Sequence, residues 1–190
     1  MPANNLYIQP VQAIYRQILS AYCGVTRRGT GFPLLFPDAA VLWEKKRTKP
    51  EIGGIEEIMG RREQREQIFK LLFRVEFNPK EEMPEQCQLF FEDEENGIGE
   101  KDAAYIQGKF EKIQDKLPEI DEMINTTAKG WTTSRMGKVD LTIIRLAVYE
   151  IKFDEEVPDS VAINEAVELA KKFGQDESAG FVNGVLARFV

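Results

Sequence analysis

The chain of 190 residues is 43% hydrophobic, enough for one domain with a real core or for one domain and a tail, and it carries a formal net charge of −7. It contains no histidine, which removes the usual general base near neutral pH and the commonest metal ligand. Its two cysteines, Cys23 and Cys87, stand apart without a CxxC partner, and no apolar run approaches the ~18 residues of a membrane span, so neither a zinc site, a disulfide framework nor a transmembrane helix is indicated.

The charge is uneven. Residues 1–58 hold 7 basic and 5 acidic side chains, leaving 18 basic and 27 acidic in residues 59–190. A domain this acidic repels phosphates in bulk, so any nucleic-acid site on it must be a local basic patch. The N-terminus lacks the charged start and continuous apolar block of a signal peptide, and a reducing cytoplasm fits the cysteine usage.

Residues 1–58 read differently from the rest. A short amphipathic pattern through Val11, Ile14, Ile18 and Leu19 is followed by a segment broken at Gly29, Gly31, Pro33 and Pro37, then by the basic run Lys45-Lys46-Arg47-Thr48-Lys49. Gly53-Gly54-Ile55-Glu56-Glu57-Ile58 is what a purine-rich ribosome-binding sequence gives when translated in frame, because glycine codons begin GG and glutamate codons begin GA. Residues 1–58 are therefore expected to be a disordered extension or a start-site misassignment, with the folded domain at 59–190.

From Arg61 to Phe77 a helical stripe runs through Ile68, Leu71, Leu72 and Val75, with Phe69 and Phe73 beside it and Asn78-Pro79 as its stop. Arg61 and Arg65 share a face and Arg62 flanks them, either as a solvated helix start or as a phosphate site helped by the helix N-terminus. Met83, Cys87, Phe90 and Phe91 predict a short second helix with Pro84 in its first turn. After an acidic linker at 92–99, Ile106, Phe110, Ile113, Leu117, Ile120 and Ile124 alternate steps of four and three, the seam of an antiparallel bundle. Pro118 cannot donate to a continuous ladder, so two helices or a sharp kink are expected there.

Trp131 to Met136 reads as a connector, and Leu141–Ile151 as a central helix that is apolar on nearly all sides. Arg145 within it needs a partner, most simply Glu150, Asp140 or a helix C-terminal carbonyl. An acidic loop with Pro158 leads to the last stretch, VAINEAVELAKKFGQDESAGFVNGVLA. There Ile163, Ala166, Val167 and Ala170 form one stripe, Gly174 stops the helix, and the turn Gln175–Ser178 supplies capping groups. A second helix follows, its stripe made of Phe181, Val182, Val185, Leu186 and Phe189. Asn164 and Asn183 are poor helix formers within these helices, which predicts side-chain hydrogen bonds across the corner. No strand-type alternation of useful length appears, and the fold class is all-α.

This last stretch resembles the C-terminal signature of the NusB family of transcription antitermination factors, because both asparagines, the Phe-Gly stop and the Asn-Gly pair occur together. Trp131, Arg135 and the helix from Asp140 to Glu150 resemble the family's central helix, and Arg61, Arg62, Arg65 and Glu66 its arginine-rich start. The resemblance covers residues 59–190. It implies two small helical bundles packed across each other, about seven helices in all. It also implies a non-catalytic role without cofactor: pairing with a small-subunit ribosomal protein, binding the single-stranded boxA element of ribosomal RNA leader transcripts, and joining RNA polymerase and other Nus factors. A homodimer that covers the RNA surface is left open.

Carried over by position, Arg61, Arg62 and Arg65 match the family's RNA-contacting start, and Phe173, Glu177 and Phe181 match its positions near RNA at the final corner. Phe73 and Asp140 match the face toward the ribosomal protein. Arginines would neutralise phosphates, an exposed phenylalanine would stack on a base, and a carboxylate would accept from a base amino group. Core packing is the alternative for Phe173 and Phe181. Glu63 and Gln64 interrupt what is often a denser basic run, and Glu177 stands where aspartate is common, which predicts weaker RNA affinity by the protein alone. Two rivals remain: the NusB-like domain of some RNA methyltransferases, whose glycine-rich cofactor loop is not found in these residues, and an acidic protein-binding adaptor.

Overall fold

The computed structural model describes residues 59–93 and 96–190, so the expectations for residues 1–58 lie outside the described residues. Six α-helices are present: α1 (Arg61–Phe73), α2 (Met83–Glu92), α3 (Glu100–Thr127), α4 (Lys138–Phe153), α5 (Asp159–Phe173) and α6 (Ser178–Leu186). Short 3-10 turns at Arg74–Glu76, Lys80–Glu82 and Thr133–Arg135 complete the described part, which contains no strand. The expected all-α class holds, with six α-helices among the described residues.

The missing break is at Pro118, which lies inside the continuous helix α3. Pro118 itself is exposed, whereas Ile113 and Ile120 on the seam are fully buried. The missing N–H of Pro118 therefore falls on an exposed stretch, and burial of the seam on both sides of the proline keeps the helix in one piece.

Helix α4 is the shared wall of two small bundles. On one side it packs with α1 and α3, and on the other with α5 and α6. Ten of its residues are buried, among them Leu141, Ile143, Ile144, Leu146, Ala147 and Val148, as its all-round apolar sequence requires. Helix α1 contributes Ile68, Phe69, Leu71, Leu72 and Phe73 to the core, and α3 contributes Ile106, Phe110, Ile113, Ile120 and Ile124. The α-helix ends at Phe73 and not at Phe77, because the chain tightens into the 3-10 turn and Asn78 donates its side-chain amide to the Arg74 carbonyl at 2.8 Å.

Two sets of buried charges tie α4 to α1 and α3. Glu150 of α4, 1% exposed, accepts from Arg65 Nε of α1 at 3.0 Å and from Lys109 Nζ of α3 at 3.1 Å, and Lys109 also reaches Asp154 at 2.7 Å. Arg145, expected to pair with Glu150, Asp140 or a helix terminus, instead donates to both oxygens of Asp121 at 2.7 Å and to Glu76. It is a structural ion pair, as the alternatives allowed, but with partners far away in sequence, on α3 and the turn after α1. Asp140 and Glu150 flank Arg145 on the same helix, where helix geometry turns them toward other neighbours.

Candidate functional site

Helices α5 and α6 meet at a corner whose tightness explains Gly174. Its φ of −87° is open to any residue. A Cβ there, however, would lie 2.4 Å from Ser178 Cβ and 2.6 Å from the Ala170 carbonyl oxygen. Glycine is required by this close approach and not by a left-handed backbone. The turn residues do not cap α6 as expected. Ser178 Oγ accepts from the Gln175 N–H at 2.9 Å, which holds the turn itself closed. Nor do Asn164 and Asn183 bridge the corner. Both are exposed along a groove with Ser160, Ile163 and Val167, and among the described residues neither makes a side-chain hydrogen bond.

On the other side of the corner lies a cleft of about 290 Å³. Its walls are Phe173, Glu177 and Phe181 together with Trp131, Asp140 and Ser178. The structure thus brings all three residues expected at the corner into one concave site, and adds Asp140, which had been assigned to a protein face. Burial pushes the Asp140 carboxyl up from its ordinary value, and a hydrogen bond with Ser178 offsets this only in part. Its Oδ1 is buried without a hydrogen-bond partner.

The two phenylalanines are both half-buried but differ in company. Phe173 rests against the buried Phe69 with ring centroids 5.0 Å apart, and Lys172 lies 5.2 Å from its centre. Phe181 meets Trp131 edge to face at 5.0 Å, and Trp131 is 44% exposed. Phe173 is therefore anchored inward and Phe181 belongs to a surface aromatic pair. Glu177 is exposed.

The arginine-rich start adjoins this cleft through Lys172 and Phe173. Arg62, with 65% of its side chain exposed, donates to Glu165 through Nε at 3.1 Å and Nη2 at 3.0 Å. Arg65 has only 10% of its side chain exposed and pairs with Glu150 and, at 3.7 Å, with Glu165. Arg61 is exposed. Lys172 bonds Glu66, whose carboxyl is held below its ordinary value because bonds from Lys172 and Lys70 outweigh the opposing effect of burial. The two residues that interrupt the basic run stabilise the start of α1. Glu63 accepts from the Gly60 N–H at 3.0 Å, and Gln64 donates to Asp102 at 2.7 Å. Phe73 is 1% exposed. It packs edge to face on Phe77, which is 47% exposed and is the ring of that pair open to solvent.

A profile of the NusB family matches residues 62–190. The chain belongs to the NusB family. The transcription antitermination protein NusB of Agathobacter rectalis is 53% identical over 131 residues, covering 69% of this chain and 99% of its own length. That of Lachnoclostridium phytofermentans is 52% identical over 132 residues, covering 70% and 99%. Among solved structures, T. maritima NusB is 34% identical with a TM-score of 0.61 over 70% of this chain and 91% of its own. A structure described as antitermination factors NusB and NusE in complex with double-stranded RNA is 26% identical, with a TM-score of 0.56 over 68% of this chain and 94% of its own. The all-α class read from helical periodicity and the two bundles implied by the resemblance are thus those of the NusB fold, and NusB is an antitermination factor and not an enzyme.

Sequence reasoning missed Trp131 and its neighbour Arg135 as part of the site, treating them as a connector. A signal was present. In Lys129-Gly130-Trp131-Thr132-Thr133 the indole has no apolar neighbour at helical or strand spacing, so nothing nearby in sequence could bury it.

Proposed function

We propose that this NusB-family protein binds boxA-type single-stranded RNA of ribosomal RNA leader transcripts together with a small-subunit ribosomal protein in the NusE role. The pair then joins RNA polymerase and other Nus factors and suppresses premature termination. The observation that carries this reading is the cleft where Phe173, Glu177 and Phe181 converge, next along the chain to Lys172, which lines a second pocket with Arg62. That combination offers π faces, a carboxylate acceptor and phosphate-neutralising cations on one surface. The solved NusB and NusE complex with double-stranded RNA supports RNA and a NusE-type protein as the classes of partner.

The charge arrangement supports a need for the protein partner. Arg62, Arg65 and Lys172 are each already matched by a carboxylate, so RNA phosphates must compete with Glu165, Glu150 and Glu66 for them. Affinity of the chain alone is accordingly low, and a basic ribosomal protein beside it supplies additional positive charge. The test is retention of a labelled boxA RNA and of a scrambled RNA by the purified chain, with and without the ribosomal protein. Selective retention of boxA that strengthens with the partner is expected. Equal retention of both RNAs, or of neither in the presence of the partner, would leave the acidic-adaptor reading in its place.

A further inference from the structure

Trp131 is displayed rather than merely left over. Its loop is pinned at several points: the Trp131 N–H donates to the Ala128 carbonyl at 3.0 Å, the Thr133 N–H to Asn125 Oδ1 at 2.8 Å and the Arg135 N–H to the Thr132 carbonyl at 2.9 Å. Gly130, at φ +82°, provides the left-handed residue that turns the chain at this point. A large indole is thus held on a fixed backbone with 44% of its surface in water, where burial would stabilise it. Its contacts orient it further. Phe181 meets it at 65° between ring planes, and the Arg135 guanidinium lies 5.8 Å from its centre. Arg135 is exposed and, among the described residues, has no carboxylate partner, unlike Arg62, Arg65 and Lys172.

We propose that Trp131 is the principal base-stacking platform of the RNA surface, taking one unpaired base against its exposed ring, with Arg135 neutralising the adjoining phosphate. This deepens the RNA reading above and rests on it. Phe173 is a poorer platform because it is half-buried and packs on the buried Phe69, whereas Trp131 is exposed. Phe181 sets the angle of the indole from inside the cleft. The exposed Glu177 lies in the same cleft, where it accepts from the amino group of a base held there. Arg135 also differs from Arg62 and Arg65 in having no carboxylate partner among the described residues, so its charge is the more available to phosphate.

The experiment uses the full chain with the ribosomal protein and a single-stranded boxA oligonucleotide. In a Trp43→Phe background Trp131 is the only tryptophan, because the sequence has 2. RNA is expected to quench its fluorescence in proportion to binding. Trp131→Leu, which keeps an apolar cover over Phe181, should weaken RNA binding about five- to 150-fold with little change in salt dependence. Trp131→Tyr should retain most of the affinity, and Arg135→Gln should lower the salt slope by roughly 0.7. Wild-type affinity in Trp131→Leu, equal losses in the Leu and Tyr variants, or a loss confined to ribosomal-protein binding would each overturn the assignment while leaving RNA binding by the protein intact. Failure of the wild-type complex to bind RNA at all would overturn both readings.

Discussion

Replacing Arg65 by alanine should damage the fold, although by sequence it belongs to the same arginine cluster as Arg61 and Arg62. Its guanidinium has 10% of its side chain exposed and donates through Nε to both oxygens of Glu150, at 3.0 and 3.1 Å. Removing it leaves Glu150, with 1% side-chain exposure, supported only by Lys109, which already serves Asp154. Breaking a buried pair by deleting one partner costs about 3–5 kcal/mol, because the surviving charge stays out of water. For a domain of this size that corresponds to a fall of roughly 10–20 °C in Tm. Arg62→Ala breaks only an exposed pair with Glu165 and should leave Tm nearly unchanged. The double change Arg65→Met with Glu150→Leu removes most of the buried charge together and should recover a large part of the loss. Thermal unfolding followed by circular dichroism measures all three. If Arg65→Ala melted with the wild type, the pair with Glu150 would carry no structural weight, and the distinction drawn here between Arg65 and its neighbours would fail.

Asp140→Asn should raise stability near neutral pH. Burial raises the carboxyl pKa in the folded protein, so ionised Asp140 is a penalty that is fully present above the folded pKa. The advantage of asparagine should fade as pH falls through that pKa and vanish below the unfolded value near 3.8, as urea melts across pH will show. Gly174→Ala should cost about 1–3 kcal/mol by overpacking. Adding Ser178→Gly should restore only part of this, because the Ala170 carbonyl would still lie 2.6 Å from the new Cβ. Pro118→Ala should stabilise α3 by roughly 1–3 kcal/mol, because it restores the N–H to the Gln114 carbonyl on an exposed face where nothing else need move. An unchanged denaturation midpoint would mean that the helix is already relaxed around the proline.

The helices themselves were legible because their apolar residues recur at the helical period. Ile106, Phe110, Ile113, Leu117, Ile120 and Ile124 were expected on one seam, and all are buried there except Leu117, which is partly buried. What periodicity cannot convey is which charges meet across helices. Glu76, Asp121 and Arg145 are brought together from three separate segments, so sequence proximity favoured the wrong partners for Arg145. The same limit applies to Arg65, whose position in a cluster of arginines suggested a surface role, while Glu150 lies 85 residues away. Pro118 was overweighted because a local rule about one hydrogen bond was set against burial of a whole helix face. Asn164 and Asn183 were expected to make side-chain hydrogen bonds across the corner, yet both face water. Within the site, the corner residues Phe173, Glu177 and Phe181 could be found from one contiguous stretch, whereas Trp131 lies about fifty residues earlier and joins them only through the packing of α4 against α6.

The most direct measurement of the central claim is the salt dependence of boxA binding by the complex with the ribosomal protein, comparing wild type with the Arg61→Ala/Arg62→Ala double variant. Both arginines are exposed, and neither supports the core, so the fold should persist in circular dichroism. Two lost phosphate contacts should reduce the slope of log affinity against log salt by roughly 1.4 and weaken boxA and scrambled RNA alike. An unchanged slope and affinity in the double variant would contradict the account, because the start of α1 would then be a solvated helix end and the RNA would lie elsewhere on the protein.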